Sequence, residues 1–115
     1  MESRPRVVEF FELAEGKYPA KDWLFALKSR EDRQRILRRL EHLQAGNRGD
    51  SKGLGDGISE LRFQFGPGYR IYFGEDGPQL VILLMGGDKA TQASDIPKAK
   101  RHWAVYMARK RGSKP

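Results

Sequence analysis

Residues 59–77 read "SELRFQFGPGYRIYFGEDG". Side chains along a strand alternate between its two faces. Within 58–65, Leu61, Phe63 and Phe65 share one side and Glu60, Arg62 and Gln64 the other. Within 69–74, Tyr69, Ile71 and Phe73 share one side and Arg70 and Tyr72 the other. "GPG" supplies a turn between them. Setting Phe65 opposite Tyr69 pairs Phe63 with Ile71 and Leu61 with Phe73, and places Gln64 opposite Arg70 and Arg62 opposite Tyr72. A slip of one residue would mix apolar and charged side chains, so the pattern specifies a hairpin with one core face. The other face carries two guanidiniums, a phenol, an amide and one carboxylate.

Working outward, "EDGP" at 75–78 holds an Asp-Gly pair, a strong hairpin cue, and leads into a third strand over 79–85. Its run Leu80–Met85 is apolar on both sides, which places it centrally, covered by helices on one side and partly on the other. Upstream, "RVVEFFEL" (6–13) is rich in β-branched and aromatic residues and reads as a first strand. Pro19 suits a helix start, and Trp23, Leu24 and Leu27 share a helical face. Ser29 can cap a second helix with the stripe Ile36, Leu37, Leu40 and Leu43, leaving Arg33, Arg35, Arg38 and Arg39 mostly outside it. Gly46 ends that helix, and "GNRGDSKGLGDG" (46–57), with five glycines, reads as a flexible loop. Pro97 fits only a first turn, so the last helix is expected from about Asp95 to Lys110. The order β-α-α-β-β-β-α describes an α+β domain.

The 115 residues suit one domain, 1–115. The 22 Lys and Arg against 15 Asp and Glu give a net charge of +7, which favours a polyanionic partner. After Asp95 come seven basic residues (98, 100, 101, 109, 110, 111 and 114) and no acid. With no cysteine, disulfides and Cys-ligated metal centres are excluded. The charged N-terminus lacks a signal-peptide core, and the six-residue run Leu80–Met85 is too short to cross a bilayer. A soluble cytoplasmic protein is expected, without membrane partner, metal or cofactor.

Arginine forks match phosphate oxygens, and a tyrosine can stack on a base or donate to phosphate. The charged hairpin face is therefore a candidate RNA or phosphate site: Arg62, Gln64, Arg70 and Tyr72. The alternative is a solvated face with Arg62 paired to Glu60 and packed on Tyr72. Gly86 and Gly87 permit a sharp turn that brings Asp88, Lys89 and Gln92 towards the same edge. A lysine there can bind phosphate or exchange a proton; the alternative is a surface ion pair. "GLGDG" lacks the Lys-Ser/Thr of a nucleotide-binding loop. His42 and His102 lack ligand spacing, and Trp23, Trp103 and Tyr106 suit core or partner contacts.

"GLGDGISELRFQFGPGYRIYF" and "LVILLMGGDKATQASDIPKAK" resemble the signature stretches of the RelE/ParE superfamily of type II toxins, addiction-module killer protein branch. The element order resembles it as well, over most of the chain. The resemblance implies helices on one face of a small, mainly antiparallel sheet. It implies a toxin neutralised by a helix-turn-helix antitoxin, operator DNA being read only through that antitoxin. It implies cleavage of messenger RNA on the ribosome by attack of the 2′-hydroxyl on the adjacent phosphate, without a metal. The superfamily arginine matches Arg70 and its basic residue after the last strand matches Lys89. Arg70 would stabilise the phosphorane, Lys89 would assist with charge or proton transfer, Arg62 would hold a flanking phosphate and Tyr72 would orient or stack. The superfamily tyrosine beyond the lysine has no counterpart in "ATQASDI", where Asp95 falls near its place. A ParE-like DNA gyrase inhibitor and a plain nucleic-acid-binding module are the competing functions.

Overall fold

The computed structural model describes residues 5–112; Lys114 of the basic tail lies outside the described residues. The chain runs β1 (Val7–Phe10), α1 (Pro19–Phe25), α2 (Arg30–Gln44), β2 (Ser51–Gly55), β3 (Ile58–Arg62), β4 (Arg70–Asp76), β5 (Leu80–Gly87), a single 3-10 turn (Lys89–Thr91) and α3 (Gln92–Gly112). The strands form one sheet in the order β1-β5-β4-β3-β2. β1 pairs parallel to β5, and the other three pairings are antiparallel. The α+β class holds.

Local chemistry sets most boundaries. Pro19 opens α1, and the Ser29 hydroxyl accepts from the Asp32 amide at 3.1 Å to cap α2. Gly77, with φ of 72°, closes the β4–β5 hairpin. The helix α3 begins at Gln92, ahead of the Asp95 expected, with Pro97 in its second turn. The amide that Pro97 lacks would have met the carbonyl of Ala93, a solvent-exposed residue.

Three features differ from expectation. The glycine-rich stretch contains a fifth strand, β2, which pairs with β3. The β3–β4 hairpin is offset by two residues: Leu61 faces Ile71 and Arg62 faces Arg70, while the Phe63 amide donates to Tyr69 at 3.1 Å. An even offset keeps every side chain on its assigned face. Phe65 joins the connection instead of the ladder, and it packs edge-on against Phe63 and Tyr69.

The helices also occupy both faces of the sheet and not one. Leu24, Ile36, Leu40 and Leu43 of α1 and α2 pack on Leu61, Phe63, Ile71, Phe73, Val81 and Leu83. On the opposite face α3 lays Ala99 and Trp103 on Ile58, Tyr72, Ile82 and Leu84. The reason is local: those four side chains make the middle of the second face apolar, and Gly74 leaves a flat seat for an indole. A Cβ on Gly74 would lie 2.3 Å from the Trp103 ring. No helix among the described residues is long and apolar enough to cross a membrane.

Candidate functional site

The second face divides under α3. Its middle is covered by Ala99 and Trp103, and Arg70, Glu60 and Gln92 lie at the hairpin end near the start of α3. Tyr72 is fully buried opposite Glu60, which is itself 1% exposed. The Tyr72 hydroxyl has no hydrogen-bond partner among the described residues, and burial pushes its pKa well above the ordinary 10.0, with the charges of Glu60 and Asp95 adding to the effect. Tyr72 is therefore not the exposed stacking residue expected of it.

Arg62 and Gln64 are also committed. Arg62 reaches Asp50 through Nε (3.1 Å) and Nη2 (2.9 Å), and Gln64 Nε2 donates to the other carboxylate oxygen at 2.7 Å. The bond from Gln64, then that from Arg62, holds the Asp50 carboxyl below its usual pKa. These three side chains tie the segment before β2 to the end of β3. Arg62 does have an acidic partner, as the solvated-face alternative required, but it is Asp50 and not Glu60.

Arg70 and Lys89 behave differently. Arg70 is mostly buried, with its side chain 12% exposed. Its Nη1 donates to the carbonyls of Gly68 (2.9 Å) and Tyr69 (3.2 Å), and its Nε lies 3.8 Å from Glu60 Oε2. Glu60 is held in turn by Gln92 Nε2, at 2.8 and 3.2 Å. The guanidinium is thus clamped from two sides. Lys89 is exposed and pairs with no carboxylate among the described residues. The root of the Lys89 side chain and the Arg70 guanidinium both lie against Gly68: a Cβ there would stand 3.3 Å from Lys89 Cβ and 3.5 Å from Arg70 Nη1. Gly68 has a φ of 75°, so glycine serves both the turn and the close approach.

The capping of the last helical segment positions Lys89. Asp88 Oδ1 accepts from the amides of Ala90 (2.9 Å) and Thr91 (3.2 Å), so this carboxylate is a cap. Thr91 Oγ1 lies 2.5 Å from Asp95 Oδ2, and Asp95 is buried against Gly87, where a Cβ would meet its carboxylate at 2.0 Å. Sequence reasoning placed Glu60 on this face but gave it no part in the site; its position opposite Tyr72 and beside Arg70 follows only from the true register. Gln92, expected at phosphate, instead orients Glu60.

Chemically, a fixed guanidinium at a bare backbone turn, with an exposed lysine rooted beside it, can receive an oxyanion. Among the described residues no three His, Asp or Glu side chains converge as metal ligands. His102 stacks on Phe11 at 5.3 Å, a packing role, and burial lowers its pKa.

The family model described as "Phage derived protein Gp49-like (DUF891)" matches residues 22–106, from within α1 to within α3. A Haemophilus influenzae protein described as uncharacterized is 50% identical over 78 residues, 68% of this chain and 79% of that one. No solved structure matches. The matched span includes the whole β3–β4 hairpin, Arg70 and Lys89, and by that match the chain belongs to the phage-derived Gp49-like family.

Proposed function

We propose that this chain is the toxin of a type II toxin–antitoxin system and cuts translated messenger RNA on the ribosome. Membership of the Gp49-like family, which has toxin-like character, supports the reading. The observation that carries it is that the Arg70 guanidinium and the root of exposed Lys89 both lie against Gly68. The 2′-hydroxyl gives up its proton to solvent water and attacks the adjacent phosphorus. The bond to the 5′-oxygen breaks, and that oxygen takes up a proton, leaving a cyclic phosphate and a 5′-hydroxyl. Arg70 stabilises the charge that grows on the phosphate, and Lys89 contributes charge and the proton for the leaving oxygen. Glu60 and Gln92 keep Arg70 aimed. Tyr72, beneath them, acts through packing. A cognate helix-turn-helix antitoxin neutralises the toxin in a hetero-oligomer, and the operator is read by that partner.

Mapping message ends after a brief pulse of expression tests this: cuts should fall within translated codons. Arg70→Ala should fold and lose roughly 10²–10³-fold in cleavage on purified ribosomes. Undiminished cleavage would remove Arg70 from the site.

One observation favours a second reading, a ParE-like gyrase inhibitor without nuclease activity. Tyr72, expected to orient or stack at the reacting phosphate, is buried. That reading expects intact messages, altered plasmid supercoiling and DNA damage.

A further inference from the structure

The second helix carries a groove that the Arg70 site does not use. Arg35, Arg38 and Arg39, with Phe65 and Gln64 of the hairpin connection, line it. The members differ in their commitments. Arg39 lies over the Phe63 ring at 4.9 Å, and its Nη atoms donate to the carbonyls of Arg62 (3.0 Å) and Asp50 (3.2 Å). It is a strut. The Arg35 guanidinium lies over Phe65, its Cζ 3.9 Å from the ring centroid. Arg35 and Arg38 are exposed, and neither pairs with a carboxylate among the described residues. Their spacing of three residues sets them side by side on one helix face.

The groove connects to the Arg70 site through the hairpin tip. Phe65 forms one end of the tip, and the Gly68 amide donates back to the Phe65 carbonyl at 3.2 Å. Tyr69 anchors the tip to α2 by donating to Asp32 at 2.8 Å. Gly66, Pro67 and Gly68 are the stretch of chain between Phe65, which lies under Arg35, and Tyr69 and Arg70.

Resting on the function proposed above, we propose that the α2–hairpin groove is a second subsite for the same single-stranded RNA, holding nucleotides flanking the reacting phosphate. A base stacks on the outer face of the Arg35 guanidinium, which Phe65 backs from within. Arg38 neutralises a phosphate, and Gln64 borders the base edge. A flat, supported guanidinium beside an unpaired one suits a nucleotide chain better than an acidic peptide, which offers no base to stack.

The test is binding, read without cleavage, on 2′-O-methyl RNA. A dodecamer spans both subsites and a trimer only the Arg70 site. Replacing both arginines (Arg35→Gln with Arg38→Gln) should weaken the dodecamer roughly tenfold and lower the slope of log affinity against log salt by about 0.7, for the one phosphate that Arg38 neutralises. Trimer binding and the melting temperature should not change. Arg35→Lys with Arg38 intact should keep the salt slope and still lose affinity, because the stacking plane is gone. The proposal fails if the double variant binds the dodecamer like the parent, or weakens trimer and dodecamer alike. It fails equally if the variant loses more affinity for duplex RNA or for an acidic peptide than for the dodecamer. Arg70→Ala is the separate control: should it leave trimer binding intact, the Arg70 reading falls, and the groove is still judged by the dodecamer.

Discussion

At the scale of single residues, the arginines of the hairpin show how neighbours decide what a charge is for. Arg62 and Arg70 face each other across the β3–β4 ladder. Arg62 is neutralised by Asp50, whereas Arg70 has only a carboxylate 3.8 Å away and two carbonyls. Asp50 is the more testable of these groups. Its folded pKa lies below the ordinary 3.8, so its bonds to Gln64 and Arg62 stabilise the fold above that pH and are lost as pH falls through the lowered value. Asp50→Asn should therefore melt at a lower temperature than the parent at neutral pH. The gap should close on acidification below pH 3.8, in melting curves followed by circular dichroism. A gap that persists in acid would assign the loss to packing. Alternation alone sorted Glu60, Arg62, Arg70 and Tyr72 onto one face. It could not show that Asp50, from another segment, would claim Arg62, or that α3 would cover Tyr72.

At the scale of elements, α1 and α3 each meet the sheet where a glycine makes room. Gly74 seats Trp103, and Gly86 seats Trp23, whose ring would come within 2.2 Å of a Cβ. Neither glycine has a positive φ, so the requirement is space alone. Gly74→Ala should lift α3 and cost about 1–3 kcal/mol in urea unfolding. Combining it with Trp103→Leu should cost less than the sum of the two single changes, because the clash is shared. Additive losses would place the effect elsewhere. Legibility at this scale varied. The helix stripes and the Asp-Gly turn were plain, because periodicity and turn chemistry are local. The strand β2 was hidden, since glycines mask strand propensity and Ser51–Gly55 owes its conformation to the ladder with β3. The hairpin offset was hidden because alternation is blind to shifts of two. Gly66 and Gly68, both with positive φ, and Phe65 allow the wider connection.

For the whole molecule, a net charge of +7 was legible from composition, but its distribution was not. Much of the basic helix α3 serves the fold. Arg109 donates to the carbonyls of Glu12 and Leu13 and lies over Phe11, Lys110 pairs with Asp76, and Lys100 pairs with Asp56. Arg6 and Arg48 converge on Glu75. Arg35 and Arg38 on α2, and Lys89, are exposed and pair with no carboxylate among the described residues, and such cations draw an approaching polyanion. The layering has a consequence of another kind. The chain has two tryptophans, and each helical layer holds one of them against a bare stretch of backbone. Each side of the sheet thus carries its own optical probe. Trp23→Phe leaves an emission spectrum that reports α3 alone, and Trp103→Phe leaves one that reports the α1 side. If the layers separate in turn under denaturant, the two spectra will shift to the red at different midpoints; coincident midpoints would mean that both layers come away together.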